Sequence, residues 1–222
     1  MNISLSRRLV AEFLGTAFLV AAVVGSGIMG ERLANGNVAL ALLANTIATG
    51  AALTALILSF GSISGAHLNP VVSLPSALEG GLPWFEAGAY VCAQVTGGVV
   101  GAIAAHLMFG LPTLSISHHA RSGLAQTFSE FVATFGLLSV ILGCSRFRQD
   151  AVAFAVGAYI TAAYWFTAST SFANPAVTIA RSLTNTFSGI RPLDVPLFLV
   201  AQVGGAFTAA LLFRWLLKEE SP

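Results

Sequence analysis

Six apolar runs, at residues 9–29, 38–60, 84–109, 125–144, 151–166 and 195–217, leave this chain few ways to fold. Most approach or exceed the ~20 residues a helix needs to cross ~30 Å of hydrocarbon, and the fifth is a little short. Lipid offers no partner to a free N–H or C=O, so each run has to bond its own backbone, as a helix does. Charged residues make up 9% of the chain, against roughly 25% in an ordinary soluble domain. That is too few to cover a globule in water. Arg7 and Arg8 precede the first run as they would in a signal peptide. The run is longer than such a peptide's apolar core and has no clear small-residue cleavage site, so it reads as a retained first span.

Two connecting segments, 61–82 and 167–194, are also largely apolar, yet each is too short to cross and return as two helices. Each carries an Asn-Pro pair: Asn69-Pro70-Val71 and Asn174-Pro175-Ala176. Asn is a strong N-cap, because its side-chain oxygen accepts from a first-turn N–H. Pro at the next position has no N–H to lose and a φ already suited to a helix. Both segments therefore read as short helices that start inside the membrane. Irregular backbone at that depth has to be lined by protein or by a water-filled cavity.

The two halves match. Ala11-Glu12-Phe13 corresponds to Ser129-Glu130-Phe131, and Ala93-Gln94-Val95 to Ala201-Gln202-Val203, with one Asn-Pro segment in each half. Three spans per half is an odd number, so the second half enters with opposite orientation, an inverted repeat over about 1–114 and 122–222. The short helices then meet N-terminus to N-terminus near the midplane. Each presents about half a positive charge there, which disfavours hydronium and other cations. The Asn69 and Asn174 amides are candidate donors to a solute oxygen, and the unwound backbone before them, Gly65, Ala66 and His67, supplies carbonyl acceptors. A narrow path with few polar contacts suits small uncharged hydroxylated molecules.

Ala11-Glu12-Phe13-Leu14-Gly15-Thr16, Ser64-Gly65-Ala66-His67-Leu68-Asn69-Pro70 and Phe172-Ala173-Asn174-Pro175-Ala176 resemble the major intrinsic proteins, the aquaporins and aquaglyceroporins. The resemblance covers nearly the whole chain. It implies an all-α membrane protein of six spanning helices and two re-entrant half-helices. It further implies one pore per subunit, a homotetramer in a lipid bilayer and passage of small neutral solutes. Val71 stands where the family usually has alanine, a position expected to pack away from the solute.

A larger departure follows the second motif. The family usually places an arginine there, at its outer constriction; this chain has Val177. The other constriction positions carry over by spacing as Thr49, twenty residues before Asn69, and Ala162 and Ser171, twelve and three before Asn174. Water-selective relatives place an aromatic, a histidine and a small residue beside the arginine, and glycerol channels place two aromatics. Thr49, Ala162, Ser171 and Val177 carry neither ring nor charge, which predicts a wide constriction. Such an opening admits glycerol, urea or trihydroxy metalloid acids such as arsenous acid, and bacterial relatives with this altered motif resemble channels associated with arsenic resistance.

Other polar residues have two readings each. Arg181 lies one turn after Val177 and either adds charge to the outer vestibule or snorkels to headgroups and caps carbonyls. The second role is the commoner one for arginine. Glu12 and Glu130 are either proton-coupling groups of a carrier or, as the resemblance implies, acceptors for N–H groups of the pore loops. His106 reads as a packing residue, and adjacent His118 and His119 have poor spacing for a metal. Small residues four apart, Gly97 with Gly101 and Gly205 with Ala209, allow close helix approach. Trp84, Trp165 and Trp215 fall at span ends, at headgroup depth.

Cys92 and Cys144 sit in apolar runs, a poor pattern for a disulfide or a metal. A net charge of +1 gives no reason to expect nucleic acid. No cofactor is expected and no enzyme motif is present. Arg7, Arg8, Arg146, Arg148, Arg214 and Lys218 on one side, against Arg32, Arg121, Arg181 and Arg191 on the other, favour cytoplasmic N- and C-termini in a bacterial inner membrane. A passive channel is the reading chosen, with a gradient-coupled secondary transporter as the alternative, because carriers also use inverted repeats with broken helices.

Overall fold

A computed structural model describes residues 3–218. Its helices are α1 (Leu5–Leu33), α2 (Val38–Ser64), α3 (Pro70–Leu78), α4 (Trp84–Met108), α5 (Leu124–Phe147), α6 (Val152–Phe166), α7 (Pro175–Arg181) and α8 (Val195–Leu216). The fold is all-helical: six spanning helices and the two half-helices α3 and α7, as an inverted repeat of α1–α4 and α5–α8. Five helices are long and apolar enough to cross a membrane unaided. The sixth spanning helix, α6, has 15 residues, about 22 Å at 1.5 Å per residue. A 3-10 turn at Gln149–Ala151 lengthens it at one end, and the irregular backbone of 167–174 takes over at the other.

Following the chain through these turns puts the start of α1, the end of α8 and the outer ends of α2, α3 and α5 on one face, the terminal face. The opposite face holds the α1–α2 turn and the segment 109–123. There Arg32 Nη2 donates to the Phe109 carbonyl at 3.1 Å. Backbone N–H groups of Ser115 and Ser117 donate to the carbonyls of Leu183 and Ser182.

Packing repeats with the sequence. α1 lies against α4 as α5 lies against α8, and α2 meets α6 between the halves. A Cβ at Gly97 or Gly101 would overlap the Phe13 or Ala17 carbonyl of α1, and one at Gly205 the Phe131 carbonyl of α5. The α2–α6 crossing has its own glycine pair: Cβ atoms at Gly50 and Gly157 would lie 2.9 and 2.7 Å from each other's residue carbonyls. Lipid tails are as apolar as the side chains, so this close approach and the van der Waals contact it permits are what join the helices. Outward faces remain apolar, with Phe18, Phe128, Val200 and Leu211 more than half exposed and Trp84 and Trp215 at helix ends. Such a surface is stable in a bilayer, and the protein is an integral membrane protein.

Candidate functional site

Each half-helix is preceded by a loop whose backbone folds in the left-handed region at equivalent places. Gly65, Ala66 and Leu68 have φ of 89°, 46° and 51°; Thr170, Ser171 and Ala173 have 61°, 49° and 46°. For a residue with a Cβ this costs on the order of 1–3 kcal/mol, so something has to hold the loops. Two buried carboxylates do. Glu12 Oε1 accepts from the His67 N–H at 2.9 Å and the Ser64 hydroxyl at 2.6 Å. Its Oε2 accepts from the Leu68 N–H at 2.7 Å and Gln94 Nε2 at 2.8 Å. Glu130 accepts from the N–H groups of Phe172 at 2.8 Å and Ala173 at 2.9 Å, and from Gln202 Nε2 at 2.6 Å. Gln94 also donates to Ser73, and Gln202 to Thr178, so each loop is tied to its own half-helix. The N–H groups that bind the carboxylates point away from the cavity, which leaves the loops' other faces toward it. Glu12 and Glu130 are fully buried and do not line that cavity.

The half-helix N-termini meet through their asparagines. Asn69 Oδ1 accepts from the Val71 N–H at 3.1 Å, and Asn174 Oδ1 from the N–H groups of Ala176 and Val177 at 3.0 and 3.3 Å. Each amide then reaches across. Asn69 Nδ2 donates to the Ala173 carbonyl and Asn174 Nδ2 to the Leu68 carbonyl, both at 2.8 Å. An amide has two N–H donors, so one on each asparagine is used between the loops and one remains at the cavity wall. Pro70 and Pro175 occupy the first helical positions. Val71 and Ala176 are buried in the bundle, while Val72 and Val177 face the cavity at equivalent points.

A cavity of about 410 Å³ runs past both asparagines. It extends from Glu79 and Ser145 toward the terminal face to Thr49, Tyr164 and Arg181 at the opposite mouth. One wall is the polar loop pair, including Gly65, Ala66, His67 and Ser171. The other is apolar, built of Leu53, Leu137, Ile141, Val156 and Ile160. His67 Nδ1 is 3.0 Å from the Ser73 hydroxyl.

Three of the four constriction positions carried over by spacing, Thr49, Ser171 and Val177, line this cavity; Ala162 does not. Ala162 is exposed on the outside of α6, whereas Ile160 and Tyr164, one helical turn apart, face inward. Counting twelve residues back from Asn174 assumed a fixed length for the irregular stretch 167–173, and that assumption fails here. The mouth therefore has rings: Tyr164, whose hydroxyl lies 3.3 Å from Thr49 Oγ1, and Phe172.

The mouth also has a charge. Arg181 is 1% exposed and does not snorkel. It lines the cavity, donates from Nε to the Ser188 carbonyl and stacks its guanidinium over Phe172, with Cζ 3.3 Å from the ring centroid. Arg121 approaches the same ring to 5.0 Å. Neither Arg121 nor Phe172 was singled out by spacing, although Phe172 is the counterpart of His67 when the Asn-Pro motifs are aligned. His106 bridges the segment 109–123 to the one after α7, with Nε2 2.7 Å from Thr184 Oγ1 and Nδ1 2.7 Å from the Pro112 carbonyl.

Comparison with known proteins places this geometry. The chain is 59% identical over 218 residues to the aquaglyceroporin AqpS of Rhizobium meliloti (strain 1021), covering 98% of this chain and 93% of that protein. It is 31% identical over 237 residues to the aquaporin NIP1-1 of Arabidopsis thaliana, covering 100% of this chain and 77% of that one. The solved structure of the aquaglyceroporin from Plasmodium falciparum aligns with a TM-score of 0.78 over 96% of this chain and 97% of its own, a match in fold at 22% identity. The family model described as "Major intrinsic protein" matches residues 1–150 and 143–221. Paired Asn-Pro half-helices, carboxylate-held loops and these matches agree: the chain belongs to the major intrinsic protein family.

Proposed function

We propose that the protein is a passive channel for small uncharged hydroxylated solutes, of the class of glycerol and trihydroxy metalloid acids such as arsenous acid. The observation that carries this reading is the two-sided cavity, polar along the loops and apolar opposite. A polyol bonds the loop carbonyls and the free asparagine N–H on one side and lays its carbon backbone against Leu137, Val156 and Ile160 on the other. An ion passing that apolar wall loses hydration without replacement, at a cost of several kcal/mol. The chain of 59% identity is named an aquaglyceroporin, which supports the solute class. Val177, which keeps the second half-helix uncharged beside Asn174, leaves room for solutes larger than water.

Glu12 and Glu130 have their oxygens occupied by loop N–H groups and glutamine amides, which favours a holding role over proton coupling. The whole chain acts as one channel domain with repeats near 1–114 and 122–222, assembled as a homotetramer in a bacterial inner membrane with both termini cytoplasmic. Stopped-flow light scattering on proteoliposomes tests the function. Glycerol and a metalloid acid enter faster than in protein-free vesicles; equal rates overturn the reading. Cross-linking in the membrane tests the tetramer, and reporter fusions at both termini test the orientation.

A further inference from the structure

Arg121 and Arg181 flank one ring but are bonded very differently. Arg121 is anchored by its backbone neighbours: Nε donates to the Gly189 carbonyl at 2.8 Å, Nη1 to Ser169 at 3.1 Å and Nη2 to Phe187 at 3.5 Å. The Arg181 guanidinium makes one hydrogen bond among the described residues, from Nε to Ser188, which leaves its two terminal nitrogens free of partners there, and the residue lines the cavity. A guanidinium that served only to cap α7 and hold the following segment would be satisfied as Arg121 is. Beside it, the hydroxyl of Ser171, 2% exposed and next in sequence to Phe172, has no partner among the described residues. The Thr49–Tyr164 hydroxyl pair lines the same mouth.

The nearby carboxylates do not neutralise this site. Asp194 pairs with Arg191 at 2.9 Å and accepts from the Arg121 N–H at 2.8 Å. Glu130 is held by the loop, and its single charge is shared between two guanidiniums, Arg121 and Arg181. The excess positive field reaches the surface loop, where burial first, and then Arg121 and Arg181, hold the His119 imidazole below its ordinary pKa.

We infer that Arg181 and Ser171, backed by the Thr49–Tyr164 pair, form an oxyanion-docking site at the mouth opposite the termini. Its ligand class is the anion of a small oxyacid, with two oxygens spaced for the free edge of a guanidinium. Planar, two-pronged donation is what distinguishes arginine from a point charge. The apolar wall beyond the mouth does not carry a desolvated anion, so the anion docks and competes with neutral solutes. Only this competition rests on the channel reading; docking itself does not.

Inorganic phosphate is the probe, followed by its 31P line width with the purified protein in detergent. The native chain broadens the line saturably, and chloride displaces phosphate poorly. Arg181→Gln abolishes the broadening. Arg181→Lys, which keeps the charge but loses the fork, weakens binding roughly tenfold or more. Ser171→Ala also weakens it, and because that hydroxyl has no partner among the described residues, the variant leaves the fold intact even where Arg181→Gln does not. No saturable broadening by the native chain, unchanged broadening in Arg181→Lys and Ser171→Ala, or equal displacement by chloride each overturns the inference. Glycerol entry measured on the same preparations separates the two claims. Entry without phosphate binding sinks the docking site alone, and phosphate binding without entry sinks the channel.

Discussion

Glu12→Gln is the sharpest test of what holds the first loop. The substitution preserves shape but turns one acceptor oxygen into an NH2 group. If that group faces the Leu68 N–H, two donors, Leu68 N–H and Gln94 Nε2, lose their acceptor. In the other orientation the Ser64 hydroxyl rotates to accept, but the His67 N–H is orphaned. Every arrangement thus strands at least one buried loop N–H, costing about 1–3 kcal/mol, and the remaining bonds lose their charge assistance, about 1 kcal/mol more. A loss of roughly 2–4 kcal/mol in a chain of this size corresponds to a fall on the order of 5–15 °C in apparent Tm. The left-handed residues Ala66 and Leu68 lose their restraint too, so solute entry falls alongside stability. Thermal unfolding in detergent and glycerol entry into vesicles read the two effects. Native values of both in Glu12→Gln would refute the assignment of Glu12 as the loop's holding group.

Three further substitutions separate parts of the account. Val177→Arg puts a guanidinium into the cavity beside Asn174, so entry of glycerol and metalloid acids should fall several-fold more than entry of water, read by light scattering. Gly157→Leu drives a side chain into Thr54 and the Gly50 carbonyl and should destabilise by about 1–3 kcal/mol or more, seen as a lower unfolding temperature. Thr134→Val removes a buried hydroxyl that has no partner among the described residues, so unfolding should be unchanged or slightly raised, within about 1 kcal/mol.

The architecture was legible because its causes are local. Long apolar runs set the spans, and Asn-Pro sets the start of each half-helix through a cap that needs only adjacent residues. The glycines of α4 and α8 follow from spacing alone, but the Gly50–Gly157 contact joins helices from different halves, which no single helix pattern announces. The mouth was less legible. Ala162 was placed by counting through a stretch whose length is set by folded geometry, and the count missed Tyr164 by two residues. Arg181 reads as an ordinary terminal arginine until the segment 182–190 folds back over it and offers the Ser188 carbonyl, which keeps it inside. Arg121 lies 60 residues earlier, and only the fold brings it to the same ring.

Glycerol entry measured against glycerol concentration, with and without a protonophore, tests the central claim most directly. A passive pore predicts entry that rises in proportion to the gradient and ignores the protonophore. Entry that saturates and collapses when the proton gradient is dissipated would contradict it and identify a coupled carrier.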